Sequence, residues 1–383
     1  MSRPLHIAHV VFSLEPGGME NGVVNLSNGL DPDRYRTTIL CLEIGGAFVS
    51  RLRPGIAVEA FGRRPGFDRT TVARLARWLR KERPDVIHSH NLGPLIYAIL
   101  GRSASGRWGI PILHGEHGAL QGDDLDPRRL RQRRFGYRFA QAVHTVSESL
   151  RQHLIDHGFP AGQITAVING VDCRRYQPPS DRAAAKVAAG YGPEDFVIGL
   201  VGRFIASKRH ELLLDAFTRL AGQAPAAHDR CRLLLLGDGG PEKERILARI
   251  ATHPLAPRIR WAGHQADPLP FYQAMDLQAM PSASEGLSNA LLEGMACGVP
   301  ALAHPACGAS EVIADGDSGL LQAVETPDAL ADCLAEVIAR PDNLARLGQG
   351  ARETAERRFS LDAMVAGYAA LYDRLAGVVR SSQ

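Results

Sequence analysis

The sequence has 383 residues and a formal net charge of +3, so it is long enough for two domains and too weakly charged to predict nucleic-acid binding. Six scattered cysteines without a C-x-x-C pair disfavour both a disulfide framework and a cysteine zinc site. Residues 7–12 favour a buried strand over a signal peptide, and no apolar run approaches the roughly 20 residues of a membrane span, so we expect a cytoplasmic globular protein.

The first 170 residues alternate between predicted strands and helices. LHIAHVVFS, from Leu5, is typical of a strand, and the glycine turn LEPGG and the helical segment MENGVVNLSNGL follow it. Further segments of strand character are RTTILCLE, IAVEAF, DVIHSH, IPILHGEH, AVHTVS and ITAVIN. This alternation predicts a doubly wound parallel sheet, whose ligands bind at the carboxyl ends of the strands.

A second alternating series follows residue 170. Its predicted strands are DFVIGLVGRF, CRLLLLGDGG, RIRWAGH, DLQAMPS and GVPALAH, and FSLDAMVAGYAALYDRLAG predicts a long final helix. We therefore predict an α/β protein with two Rossmann-like domains, residues 1–170 and 171–360, that face a cleft, and a last helix within residues 361–383.

The stretch MPSASEGLSNALLEGMACGVP, from Met280, combines a strand end, a polar loop and a helix start. Ser288 is a good N-cap, and Gly298 followed by Pro300 gives a stop for a helix that begins at Asn289. The first turn of such a helix can hold a diphosphate without a metal ion. Two carboxylates, Glu285 and Glu293, flank this turn and suit the hydroxyl groups of a sugar.

The spacing of the two acids in EGLSNALLE, followed by GMACGVP, resembles the signature of the retaining glycosyltransferases of family 4, which have the GT-B fold. The resemblance implies that Glu293 binds the nucleotide ribose and that Glu285 lies near the donor sugar. It also implies that the final helix crosses back to the first domain. The backbone that would cradle the diphosphate runs through Gly286, Leu287, Ser288, Asn289 and Ala290.

Further positions match the same family. PGGMENGV resembles its N-terminal glycine loop, with Gly17 and Gly18 at a predicted strand end, and HGEH aligns His117 with its active-site histidine. Fixed cations would stabilise the charge of a departing nucleoside diphosphate. The matching donor-side and hinge positions are Asn169, Gly202, Arg203, Lys208, His264 and Glu311.

Metal binding is not expected. HSH at residues 88–90 and HGEH at residues 114–117 lack an evident third set of ligands for zinc. Of two Asp-x-Asp pairs, Asp124 with Asp126 and Asp315 with Asp317, neither lies convincingly at a strand end, and DGDSG is typical of a turn.

The segment RRLRQRRFGYRF, residues 128–139, carries six arginines interspersed with apolar side chains. A basic amphipathic helix of this kind can dock reversibly on an anionic membrane or meet a phosphate-bearing acceptor. The alternative is a solvated helix face, balanced by Asp123, Asp124 and Asp126 just before it. Both interpretations of Arg128–Arg138 stay open.

The sequence as a whole predicts a retaining glycosyltransferase. It would bind an NDP-sugar mainly in the second domain and a glycan or polyprenyl-diphosphate-linked acceptor mainly in the first. HVVFSLEPGGMENGVVNL and HGEHG resemble the bacterial sugar transferases of exopolysaccharide and exosortase gene clusters, which implies a cytoplasmic enzyme, peripheral at the inner face of the membrane. A nucleotide-sugar 2-epimerase of the same fold and a non-catalytic nucleotide-sugar sensor are the alternatives.

Overall fold

The computed structural model describes residues 3–120, 122–223, 229–283, 287–305 and 308–377. The chain forms two compact units. Unit 1 comprises Met1–Gly170 with Leu361–Gln383, and unit 2 comprises Val171–Ser360.

Unit 1 contains a seven-stranded sheet in which all neighbours are parallel. The strand order is β3-β2-β1-β4-β5-β6-β7, so the chain leaves β1 in one direction and returns at β4 to build the other side. The strands are β1 (Leu5–Val11), β2 (Tyr35–Cys41), β3 (Ala57–Ala60), β4 (Val86–His90), β5 (Ile112–Glu116), β6 (Ala142–Thr145) and β7 (Ile164–Ala166).

Six α-helices of unit 1 fall within the described residues, and the last of them comes from the end of the chain. They are α1 (Gly18–Gly29), α2 (Arg69–Glu82), α3 (Leu92–Ser105), α4 (Pro127–Tyr137), α5 (Glu148–Asp156) and, out of chain order, α14 (Leu361–Leu375). Helix α14 packs Met364, Tyr368 and Tyr372 into the same apolar cluster as Ile7 and Leu113 of the sheet. The final helix is therefore part of the unit 1 core.

Unit 2 contains a six-stranded parallel sheet with the order β10-β9-β8-β11-β12-β13. The chain adds β9 and β10 on one side of β8 and then returns to add β11, β12 and β13 on the other side. Strands β8 and β11 are hydrogen-bonded neighbours. The strands are β8 (Phe196–Val201), β9 (Cys231–Leu236), β10 (Ile259–Gly263), β11 (Leu277–Met280), β12 (Ala301–Ala303) and β13 (Gly319–Leu321).

Eight described helices belong to unit 2, and its sheet and helices share one large apolar core that includes Phe204, Leu213, Phe217 and Leu235. The helices are α6 (Arg182–Ala188), α7 (His210–Gln223), α8 (Lys243–Ala251), α9 (Leu269–Ala274), α10 (Asn289–Ala296), α11 (Gly308–Val312), α12 (Pro327–Ile338) and α13 (Pro341–Arg358).

The two doubly wound parallel sheets confirm the predicted fold class. Strand β13 is absent from the sequence prediction, because three residues beside a glycine turn carry too little periodicity to indicate a strand. Across the described ranges, none of the helices combines the length and the apolar character that crossing a bilayer requires.

Candidate active site

The carboxyl edge of the unit 2 sheet has a topological switch point between β8 and β11. From β8 the chain proceeds to β9 and β10 on one side, while β11 leads to β12 and β13 on the other. The connections that follow β8 and β11 therefore run to opposite sides of the sheet, and such a switch point is where open α/β sheets bind their ligands. A backbone hydrogen bond of 2.8 Å from Ala283 N to Ser207 O ties the two loops together.

The loop after β8 carries the two predicted cations. Lys208 is 8% exposed, and its aliphatic stem crosses Gly202 so closely that a Cβ at Gly202 would lie 2.9 Å from Lys208 Cε. Arg203, in contrast, is exposed. Burial, assisted by the Lys208 charge, lowers the pKa of the neighbouring His210 to about 4. The loop thus presents one positioned ammonium and one exposed guanidinium at the switch point.

Helix α10 begins at Asn289 with Ser288 as its N-cap, as predicted, and the Ser288 side chain makes no capping hydrogen bond. Leu287 and Ser288 are buried, while Asn289 and Ala290 are partly exposed. The helix ends at Ala296, and Gly298, the predicted stop, follows with a φ of 67°. Glu285 and Gly286 lie outside the described residues.

The Glu293 carboxylate lies one turn inside α10 and accepts a hydrogen bond from a buried side chain. The hydroxyl of Tyr272, a fully buried residue of α9, donates a hydrogen bond of 2.8 Å to Glu293 Oε2. Burial, reinforced by the Glu293 charge, raises the pKa of Tyr272 well above its ordinary value, so the hydroxyl keeps its proton and stays a donor. The sequence prediction missed Tyr272, which looks like an ordinary core residue in LPFYQA.

Gln278 of β11 fixes the first turn of α10 in a similar way. Its Nε2 donates a hydrogen bond of 3.0 Å to Ala290 O. A Cβ at Gly294 would lie 2.2 Å from Gln278 Oε1, so only glycine at position 294 allows the helix to approach this side chain. The predicted diphosphate and ribose contacts therefore sit on a rigidly supported helix.

The loops after β9 and β10 reach the same edge of the sheet. Gly237 N donates a hydrogen bond of 2.9 Å to Gly263 O, and a Cβ at Gly237 would lie 2.2 Å from Gly202 O. His264 follows Gly263 and is exposed. Glu311 is partly buried in α11. The predicted positions Gly202 and His264 thus belong to neighbouring loops of one edge.

In unit 1, the predicted glycine loop leads into α1. Gly17 is the N-cap of α1 with an extended backbone, and a Cβ there would lie 2.2 Å from Glu20 Oε2. Gly18 is the first helical residue. Because the Glu20 carboxylate already lies at the positive end of this helix, the loop is better suited to sugar hydroxyls than to a second anion. Asn169 follows β7 and is 9% exposed.

His117, just after β5, belongs to a cluster of five imidazoles that the sequence prediction did not assemble. Its Nε2 lies 2.9 Å from Nδ1 of His90, whose Nε2 lies 3.0 Å from Nδ1 of His9. His88 and His144 approach each other to 2.7 Å through their Nε2 atoms. Burial lowers the pKa of His117 to about 4, so its imidazole is neutral near pH 7. His9 and His144 could have been found from their positions on β1, next to β4, and on β6, next to β5.

The basic segment forms helix α4, and its arginines differ in burial. Arg133 is 4% exposed and donates a hydrogen bond of 2.7 Å to Glu116 Oε1, so it belongs to a buried ion pair. Tyr137 is buried as well and donates to the same carboxylate oxygen at 2.9 Å. Arg134 donates a hydrogen bond of 2.6 Å to His157 O. The remaining arginines of the segment are exposed.

Two doubly wound domains with a basic, helix-capped switch point define a GT-B type glycosyltransferase, and comparisons with known proteins agree. Residues 16–175 match the model of Glycosyltransferase Family 4, and residues 181–354 match that of Glycosyl transferases group 1. D-inositol 3-phosphate glycosyltransferase 2 of Catenulispora acidiphila is 30% identical over 76% of this chain and 70% of its own. The chain belongs to glycosyltransferase family 4 and is a glycosyltransferase.

Two other similar proteins show the range of the family. N-acetyl-alpha-D-glucosaminyl L-malate synthase of Bacillus anthracis is 28% identical over 80% of this chain and 79% of its own. The crystal structure of Anabaena HepE in complex with UDP and glucose superposes with a TM-score of 0.83 at 25% identity and covers 95% of this chain and 98% of its own. Matches to further D-inositol 3-phosphate glycosyltransferases cover as little as 61% of those proteins.

Proposed function

We propose that this glycosyltransferase moves a sugar, with retention of anomeric configuration, from a nucleoside diphosphate sugar to a hydroxyl of a glycan or polyprenyl-diphosphate-linked acceptor. The observation that carries the proposal is the switch point of unit 2, where Lys208, the start of α10 and the Tyr272-supported Glu293 occur together. The complexes of HepE with UDP and with UDP-glucose support uridine as the first nucleoside to test in the donor.

The proposed donor site needs no divalent ion. The first turn of α10 supplies backbone N–H groups and the positive end of a helix dipole for the diphosphate. Lys208 and Arg203 then balance the charge that develops on the departing nucleoside diphosphate, which is the transition-state term that fixed cations stabilise best. Glu293 would receive the ribose hydroxyls, and His264 would lie near the base.

Other assignments concern the sugar. We assign Glu285 and His117 to the donor sugar, with Gly17, Gly18 and Asn169 on the acceptor side. A neutral His117 keeps one ring lone pair, which a protonated imidazole lacks. Because its Nε2 faces His90, its Nδ1 is the nitrogen left for a sugar hydroxyl. The anomeric configuration of the product, read by proton NMR, tests retention: the product should keep the donor's configuration, and inversion would reject the mechanism.

The cationic loop is tested by measuring UDP affinity and transfer for Arg203→Ala and Lys208→Met. Both variants should keep the fold and lose UDP affinity and kcat/KM, because each removes a charge from the diphosphate site. Arg219→Ala is the matched control, since Arg219 is another exposed cation of unit 2 but pairs with Asp328 on α12. If the first two variants behave like the control, the switch point is not the donor site.

We place the reaction in exopolysaccharide or cell-envelope glycan synthesis, where a lipid-linked acceptor would require contact with the membrane. Helix α4 offers exposed Arg128 and Arg131 for salt-sensitive docking on anionic lipid, worth about 1 kcal/mol for each cation. Changing both to Glu should abolish sedimentation with anionic vesicles. The same change at the exposed pair Arg77 and Arg80 of α2, with the same spacing, should not. Equal binding by both double variants, or no binding by the wild type at low salt, would reject docking through α4.

A further inference from the structure

Five histidines lie on one face of the unit 1 sheet, at the carboxyl ends of adjacent strands. His88 and His90 alternate along β4, and His9 of β1 stands opposite His88 in the parallel register. On the other side, His144 of β6 stands opposite Gly115 of β5. Since residues that pair or alternate by two share a face, strand pairing alone brings these imidazoles together. His117 folds over them from the end of β5.

Gly115 makes the space that this arrangement needs. A Cβ at position 115 would lie 2.4 Å from His144 Nε2 and 3.0 Å from His117 Nε2. Any larger residue would therefore separate the two rings.

The distances fit a coordination shell. One ring nitrogen from each of His90, His117 and His144 lies within 4.8 Å of the other two, and His9, His88 and His90 form a second such set. In a tetrahedral zinc site, with Zn–N bonds of about 2.1 Å, ligand nitrogens stand roughly 3.4 Å apart. Both sets consist of imidazoles alone, a donor set that suits zinc, copper, nickel or cobalt and does not suit magnesium or calcium.

The surroundings also match those of metal ligands. Nδ1 of His144 lies 3.2 Å from the Tyr368 hydroxyl, and Nδ1 of His88 lies 2.8 Å from the Tyr372 hydroxyl, so α14 orients both rings from outside. His9 Nε2 is buried and has no hydrogen-bond partner among the described residues. Burial lowers the pKa of every ring of the cluster, so all five imidazoles are neutral near pH 7.

We propose that His90, His117 and His144 bind one transition-metal ion, with Zn²⁺ as the first probe. His9 and His88 would orient these ligands through their contacts with His90 and His144. Of the three, His117 is partly exposed, while His90 and His144 are buried. If His117 also contacts the donor sugar, as the proposed function states, then bound zinc removes its lone pair and inhibits transfer reversibly. The metal site itself does not depend on that role.

The test is a titration of untagged, EDTA-stripped full-length protein with Zn²⁺, followed by calorimetry, and with Co²⁺, followed by visible absorption. We expect one equivalent to bind and Co²⁺ to give the intense bands of a tetrahedral site. His117→Ala and His144→Gln should each weaken Zn²⁺ binding at least about 100-fold, beyond the range for loss of an outer-shell partner. Circular dichroism checks that the partly exposed His117 variant is folded.

The control is the double variant His153→Gln, His157→Gln. These two histidines of α5 and its C-cap are partly exposed, with ring centroids 4.4 Å apart, and are the matched pair outside the cluster for adventitious metal. Removing them should leave the stoichiometric site intact. The proposal is overturned if the wild type binds no metal, if this control abolishes binding, or if binding survives in folded His117→Ala; the cluster is then a hydrogen-bonded chain of neutral imidazoles.

A transfer assay separates the two proposals. Zinc should inhibit the wild type, and EDTA should restore full activity. If zinc binds but does not inhibit transfer, the metal site is confirmed and its proposed inhibition of the transferase is rejected. Absence of transfer in EDTA with every donor would contradict the proposed function, while the titration would still decide the metal site.

Discussion

Removing the Tyr272 hydroxyl should weaken UDP binding through Glu293. Tyr272→Phe keeps the ring and deletes one hydrogen bond to a carboxylate, an interaction worth about 1.5–3 kcal/mol. That hydrogen bond is present with and without UDP. Most of the energy lost with it should therefore appear as a lower free energy of unfolding. UDP binding is weakened by a smaller amount, because the freed Glu293 side chain must be immobilised on binding, at a cost of about 0.5–1.5 kcal/mol. The Kd for UDP should therefore rise about 2- to 12-fold.

Calorimetric titration of four proteins measures this effect: wild type, Tyr272→Phe, Glu293→Ala and the double variant. Glu293→Ala alone should cost about 1–3 kcal/mol of UDP affinity, because it removes the ribose contact. Adding Tyr272→Phe to it should change nothing further. Tyr97→Phe is the matched control, since it deletes a buried hydroxyl that accepts from Asp68 N in unit 1. If Tyr272→Phe weakens UDP equally in the Glu293→Ala background, the hydroxyl does not act through Glu293.

Three further outcomes are expected. Lys208→Met should lower kcat/KM by about 30- to 1,000-fold, the 2–4 kcal/mol of an electrostatic stabiliser, and near-normal turnover in a natively folded variant would contradict its role. The pKa of His210 is about 4 when folded and 6.5 when unfolded, so the unfolded state binds more protons between these values. Beside the contributions of the five clustered histidines, His210 should account for about 1.6 kcal/mol of the unfolding free energy that the wild type loses between pH 6.5 and 5, and His210→Phe should lack this part of the acid sensitivity in urea titrations. Arg133→Met should cost about 3–5 kcal/mol of unfolding free energy, because the buried Glu116 carboxylate keeps its contacts with Tyr137 and His114 but loses its guanidinium partner. Adding Glu116→Gln should recover part of this cost, and a cost below about 1 kcal/mol would show that the pair is not buried in solution.

Local patterns predicted the parts of the fold that depend on neighbouring residues. The alternation of strands and helices gave both parallel sheets, and Ser288 and Gly298 marked the ends of α10 to within one residue. These features follow from side-chain periodicity and backbone preference, which are written into short segments.

Features that depend on distant partners could not be predicted in this way. Tyr272 meets Glu293, 21 residues further along the chain, only because the fold brings α9 next to α10. Arg133 is buried although α4 is so polar throughout that its sequence does not show which side faces the core. His9 joins His90 only through the pairing of β1 with β4, and strand register is set by the whole sheet.

The central claim is that unit 2 holds a nucleoside diphosphate at the β8–β11 switch point without a divalent ion. Calorimetric titration of the wild type with UDP in excess EDTA tests it most directly, with Lys208→Met as the comparison. The account predicts that UDP binds in EDTA with the same affinity as in magnesium and that Lys208→Met weakens binding under both conditions. Binding that requires magnesium or manganese, or that is unchanged in Lys208→Met, would contradict it.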